Sequence, residues 1–194
     1  DAIMATAKQT AATGGIMLID GAFAMPAAAD PAASDLLGAL VAFPHVVHIR
    51  SFGKFFGMAG LRLGFAIGAA VHMDQLQRCV GPWAVSSVAL DIGNTALNDT
   101  VWQAQHSQFL RQQTEQLQMV LTRANLKILG GTTLFQTVKT SRANHLHDHL
   151  AKAAIWTRKF SQMPDLLRFG VPANEADFAR LSESLNNWRH KANQ

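Results

Sequence analysis

The chain is short of the groups that cross-link, charge or anchor a protein. It has one cysteine, Cys79, and no tyrosine among 194 residues. A lone thiol excludes an intrachain disulfide and makes a reducing, cytoplasmic setting the expectation. Charged side chains make up only 15% of the chain, and no tract of Pro, Ser and Gly reaches linker length. That composition argues against disorder. No apolar run approaches the roughly 20 residues of a membrane span, so no membrane partner is expected. The formal net charge is +4, but the basic residues are scattered without interleaved aromatics, which disfavours nucleic acid as a partner. A metal centre is not expected either. His145 and His149 stand four apart in "HLHDHL", a spacing that reads as a solvated helix face, with no Cys/His cluster or H-E-x-x-H to complete a site.

What the chain does have is apolar mass, 48% of its residues, enough for a sizeable core. Residues 2–12 are helix formers, Gly14-Gly15 breaks them, and "IMLID" (16–20) reads as a buried parallel strand ending in an acid. "SDLLGAL" (34–40) reads as a short helix capped by Ser34. "HVVHIR" (45–50) and "LGFAIG" (63–68) read as strands. Helical segments follow over 71–80, 86–97 and 101–128, the last ended by Gly130-Gly131. The remainder alternates: "TTLFQTVKT" as a strand, "NHLHDHLAKAA" as a helix, "IWTRKF" and "LLRFGVP" as short strands, then a helix from Asn174. The expectation is an α/β fold, with an α/β sheet domain over 1–100 and a small α+β domain over 101–194. In such sheets ligands gather at the strand C-terminal ends. Asp1 in place of a methionine, followed by a helix and no signal-peptide pattern, suggests a chain cut at its start.

Several polar residues stand at those ends. Asp20 closes a strand, and it either caps the next turn or is a carboxylate kept ionised by a cation. Lys54 lies in "SFGKFFGMAGLRLGF" among glycines and Phe52, Phe55 and Phe56. It is either a surface loop residue or a desolvated amine nucleophilic toward an aldehyde. Ser51 and Arg62 offer a hydroxyl and a guanidinium fork suited to phosphate. The glycine spacing is neither a Walker loop nor G-x-G-x-x-G. Arg158 and Arg168 sit on short strands, either as water-facing edge residues or as a pair able to hold two anionic groups of one substrate.

Taken in order, Asp20, Ser51-x-x-Lys54, Gly60-x-Arg62-x-Gly64 and the late Arg168 resemble the fold type I pyridoxal-phosphate aminotransferases. Through "SFGKFFGMAGLRLGFAIG", "GPWAVS", "GGTTLF" and "LLRFGVP" the sequence is most similar to their L-threonine-O-3-phosphate decarboxylase branch of cobalamin biosynthesis, with histidinol-phosphate aminotransferases next. The resemblance implies that residues 1–100 are the remnant of a three-layer α/β/α cofactor-binding domain, with pyridoxal 5′-phosphate as cofactor and a homodimer. It implies that Lys54 joins the cofactor aldehyde, Ser51 and Arg62 hold its phosphate, and Asp20 faces its pyridine nitrogen, keeping it protonated as an electron sink. Arg168 would take the substrate carboxylate and Arg158 its phosphate. Two departures stand out. Gly21 replaces the acid of the usual D-E-A-[YF], and Phe23 replaces a tyrosine that reaches the cofactor in many transaminating relatives, as in the decarboxylase branch. The glycine-containing phosphate loop and stacked aromatic that precede the Asp strand in the family are absent from this sequence. The resemblance is therefore to the C-terminal part of such an enzyme, and a catalytically incomplete fragment or interaction module is the reading of a different class.

Overall fold

The computed structural model describes residues 2–26, 38–40 and 42–192. The chain forms two compact units, Asp1–Ser107 and Gln108–Gln194.

In the first unit, helix α1 (Ala2–Ala12) ends where Gly14 takes a left-handed φ of +67°, and strands β1 (Met17–Asp20), β2 (Val46–Ser51) and β3 (Gly64–Ile67) form a sheet in the order β1-β2-β3. β1 and β2 are parallel, with Asp20 beside Ile49, while β3 returns antiparallel and sets Gly64 beside Ser51. Ala7, Leu40 and Val46 form a small core with Met4, Met17, Ile19 and Phe43 against it. Only one face of β1 is packed, because its alternate side chains meet different environments: Leu18 is 66% exposed. The expectation of a strand buried on both faces is thereby corrected. Of the expected helix over 34–40, residues 38–40 are helical; Ser34 and its cap lie outside the described residues.

Helix α2 (Ala70–Val80) stops at Gly81, φ +76°. Helix α3 (Ser87–Asn98) begins where the Ser86 hydroxyl accepts the Ala89 N–H at 3.1 Å. The next helix, α4 (Thr100–Arg123), begins where Asp99 Oδ1 accepts the Trp102 N–H at 2.9 Å. Both are side-chain caps that satisfy donors the helix cannot.

α4 does not run to 128. Asn125 adopts the left-handed conformation at φ 58°, and the Leu126 N–H bonds back to the Leu121 carbonyl at 3.1 Å, the geometry of a helix C-terminus that an αL residue closes. Residues expected as the helix's last turn instead open strand β4 (Lys127–Thr132), which runs through Gly130-Gly131 rather than being ended by them. The second unit continues with β5 (Phe135–Lys139), α5 (Ala143–Lys152), β6 (Arg158–Lys159), β7 (Leu166–Gly170) and α6 (Glu175–Ala192). "TTLFQTVKT" is thus a turn at 133–134 followed by β5, not one strand. The sheet is antiparallel in the order β4-β5-β7-β6. Alternate residues Val138, Leu167 and Phe169 point into a cluster with Leu117 and Leu121 of α4, Leu146 and Leu150 of α5, and Phe178 and Leu185 of α6. Among the described residues, no helix is long and apolar enough to cross a membrane.

Candidate active site

The site of the first unit is built at the C-terminal ends of β1 and β2. Paired residues of neighbouring strands face the same side, and alternation then puts Asp20, Ile49 and Ser51 on one face. Two residues of rise and one strand spacing separate the Asp20 and Ser51 backbones by roughly 8 Å. Asp20 is exposed, and its Oδ1 accepts the Ala22 N–H at 2.9 Å. This is the capping turn, and it leaves the second carboxylate oxygen for another partner.

Gly21 has a steric reason that the sequence alone does not show. Its N–H donates to the Ile49 carbonyl at 2.8 Å, and a Cβ there would stand 2.9 Å from that oxygen and 3.0 Å from Arg50 Cδ. Arg50, on the opposite face from Ser51, reaches back to donate to the Met25 carbonyl at 2.6 Å, and burial lowers its pKa from the ordinary value. Residues 20–25 are therefore a short turn fastened at both ends to β2. Nothing local in the sequence marks the arginine that fastens it, because its partner lies 25 residues away.

After β2 the chain makes a closed loop, with the Phe52 N–H bonded to the Leu63 carbonyl at 3.2 Å and the Met58 N–H to the Phe52 carbonyl at 3.0 Å. Phe52 and Phe55 are buried, and they anchor it. Phe52 stacks on Phe56 at 5.0 Å, while Phe55 meets the rings of Trp102 at 5.8 Å and His106 at 5.2 Å edge-on. Trp102 and His106 are themselves stacked at 4.6 Å. Burial lowers the His106 pKa, opposed in part by a hydrogen bond to the Phe55 backbone. The phenylalanines thus bury themselves and not Lys54, whose side chain is exposed. The expectation of a lysine desolvated by its flanks is corrected. What the anchors supply is a fixed platform, from which Lys54 Nζ lies 5.3 Å from the centroid of the Phe23 ring.

Arg62 is also exposed, ending the 3₁₀ turn Ala59–Leu61 at φ 54°, ψ 36°, with its guanidinium donating to the Ala59 carbonyl at 3.2 Å. A non-glycine residue in this region is strained by roughly 1–2 kcal/mol. The strain falls in the stretch that returns to pair with Ser51. Ser51 Oγ accepts the Gly53 N–H at 3.0 Å. A hydroxyl, a guanidinium, an amine and a carboxylate thus lie on the end of β2, the loop that follows it and the end of β1. This donor set suits a flat heteroaromatic aldehyde bearing a phosphate: Ser51 and Arg62 for the anion, Lys54 for the aldehyde, Asp20 for a protonated ring nitrogen.

In the second unit Arg158 and Arg168 are register partners on β6 and β7, so their side chains leave the same face. The Arg168 guanidinium lies 4.7 Å from the Phe135 ring centroid. Two guanidinium forks leaving one face can take anionic groups. His145 is exposed, whereas the His149 ring is bonded to the Ser184 carbonyl at 2.8 Å. No group of three or more His, Cys, Asp or Glu able to hold a metal occurs among the described residues.

The architecture is mixed α/β. A histidinol-phosphate aminotransferase structure from Clostridium acetobutylicum superposes with a TM-score of 0.86 at 18% identity, over 97% of this chain and 58% of that one. Residues 2–185 match aminotransferase class I and II, and the chain belongs to that family, whose members depend on pyridoxal 5′-phosphate. Among curated proteins, a threonine-phosphate decarboxylase of Pseudomonas aeruginosa is 38% identical over 93% of this chain and 53% of its own length. A histidinol-phosphate aminotransferase of Oleidesulfovibrio alaskensis is 35% identical over 62% of this chain and 31% of its own. The chain spans about half the length of the curated threonine-phosphate decarboxylases it matches.

Proposed function

We propose that this chain supplies the lysine-bearing half of a pyridoxal-phosphate site and that the enzyme decarboxylates L-threonine O-3-phosphate to an aminopropanol phosphate, working as a homodimer. The observation that carries the substrate choice is the side-by-side pair Arg158 and Arg168, matched to a substrate with both phosphate and carboxylate. The decarboxylase relative similar over nearly the whole chain supports it.

When bound, the cofactor withdraws electrons from the substrate Cα. Asp20 keeps that withdrawal strong by holding a proton on the ring nitrogen, and Ser51 and Arg62 hold the phosphate so the ring cannot swing away. Arg168 orients the departing carboxylate, Arg158 grips the substrate phosphate, and the Lys54 ammonium delivers the proton that Cα gains once carbon dioxide has left.

The second reading is an aminotransferase acting on histidinol phosphate, favoured by the identity to such an enzyme over part of the chain. Histidinol phosphate has no carboxylate, so a guanidinium dedicated to that group would serve an aminotransferase only in its half-reaction with 2-oxoglutarate. Side-by-side assays decide: carbon dioxide released from threonine phosphate faster than histidinol phosphate is converted with 2-oxoglutarate is the expected result. Keto-acid-dependent conversion of histidinol phosphate without carbon dioxide from threonine phosphate would overturn it.

A further inference from the structure

We infer that Phe23 is a positioning residue whose ring face is the resting place of the Lys54 ammonium, holding the amine beside the end of β1 without letting it pair with Asp20. The inference rests on the reading of Lys54 as the cofactor-bearing lysine, because only then must the free amine be kept close and ready.

A lysine on an exposed loop has many rotamers open to it, and Asp20 terminates the adjoining strand. An ion pair between them would neutralise the two groups that the proposed chemistry needs separately. No ion pair joins Asp20 and Lys54 among the described residues; the pairs Lys139–Asp165, Lys159–Asp148 and Arg180–Asp177 lie in the second unit. Nζ stands instead 5.3 Å from the Phe23 centroid, inside the 6 Å reach of a cation–π contact. The turn fixes this arrangement from both sides. Asp20 Oδ1 is drawn back onto the Ala22 N–H at 2.9 Å, and the Ala24 N–H closes on the Gly21 carbonyl at 3.0 Å. Arg50 pins the turn's far end through the Met25 carbonyl. The half-buried Phe23 ring is the part of this turn that the amine meets. The lysine is held from its own side by the buried anchors Phe52 and Phe55.

An aromatic face suits a resting place. It attracts the cation through its quadrupole, yet leaves no hydrogen-bonding group unsatisfied when the amine departs. A carboxylate would bind it more tightly and release it at a greater penalty. Tyrosine at this position would keep the face and add a donor; leucine would keep much of the volume and remove the face.

The test combines a spectroscopic signature with a capture rate. In protein labelled at lysine ¹³Cε, with Lys54 assigned through Lys54→Arg, ring current should displace the Lys54 Hε resonances upfield. Phe23→Leu should return them to the ordinary position and Phe23→Tyr should retain the displacement, with the remaining amide spectrum confirming that both variants fold. On adding pyridoxal 5′-phosphate, the Lys54 ammonium gives a proton to solvent, the neutral Nζ bonds to the aldehyde carbon as its oxygen leaves as water, and borohydride supplies the hydride that makes the bond permanent for mass spectrometry. Capture at Lys54 should slow about 2–5-fold in Phe23→Leu and stay near the original rate in Phe23→Tyr. Undisplaced resonances in the parent protein, or capture equally fast in Phe23→Leu, would overturn the positioning role while leaving Lys54 as the cofactor lysine. Capture at a different lysine would overturn that assignment and the role of Phe23 with it.

Discussion

In the second unit Val138, Leu167 and Phe169 are sealed beneath α5, α6 and the end of α4, whereas in the first Leu18 is 66% exposed and Ile49 of the neighbouring strand is exposed beside it. Both sheets alternate, so the difference lies in what is available to cover them. Helices of the second unit bring Leu146, Leu150, Phe178 and Leu185 to one side of its sheet. The first unit has a small core of Ala7, Leu40 and Val46 on one side of its sheet, and the other side is the one from which Asp20 and Ser51 emerge. Asp20 and Ser51 thus leave the face on which Leu18 and Ile49 are exposed, where a ligand can reach them.

The largest effect that tests this contrast is Leu167→Ala. The side chain is fully buried, and its removal should lower stability by about 2–5 kcal/mol in urea unfolding; a loss below ~1 kcal/mol would show that the second unit is not the better packed. Next is Gly21→Ala, expected to destabilise the first unit by about 1–3 kcal/mol, since the added methyl meets backbone that cannot yield. Its measurement is unfolding together with the Lys54 Hε resonance, which should move.

A smaller effect should come with acid. His48 is 5% exposed, its Nε2 has no hydrogen-bond partner among the described residues, and burial, then the Arg50 charge, lower its pKa. A folded-state value below the unfolded one of about 6.5 means that the unfolded chain binds the proton first. This contribution to stability is therefore complete above that value and is lost as pH falls from it toward the lowered one. His106 acts in the same direction, its pKa lowered mainly by burial. Replacing His48 with leucine should flatten the stability profile over that window, and an unchanged slope would assign it to other groups. The smallest effect belongs to Leu18→Ala, expected to stay within about 0.5 kcal/mol. A loss of several times that in the assembled enzyme would mean the exposed face is covered there.

The parts of this arrangement legible in the sequence were those encoded over a few residues. Asp20 closing an apolar run, the glycine-spaced loop around Lys54 and the β-branched approach to Ser51 all carried their own signals. The failures were of longer range or of cap chemistry. Asn125 ended α4 where the helical pattern alone ran on to 128, because a single left-handed residue decides the matter. The turn at 133–134 has neither Gly nor Asn to mark it. Gly21 and Arg50 make sense only once β2 lies against the turn. Phe23 was noticed for the hydroxyl it lacks, while its contact with Lys54 depends on two loops that the sequence separates.

β1 forms one edge of its sheet among the described residues, and that position governs how the protein behaves in a concentrated solution. An edge strand with an exposed Leu18 is a template on which strands of other molecules can add. Self-association of the chain should therefore begin at this strand, rise steeply with concentration, and be suppressed by Leu18→Lys, which puts a charge where an incoming strand would have to bury it.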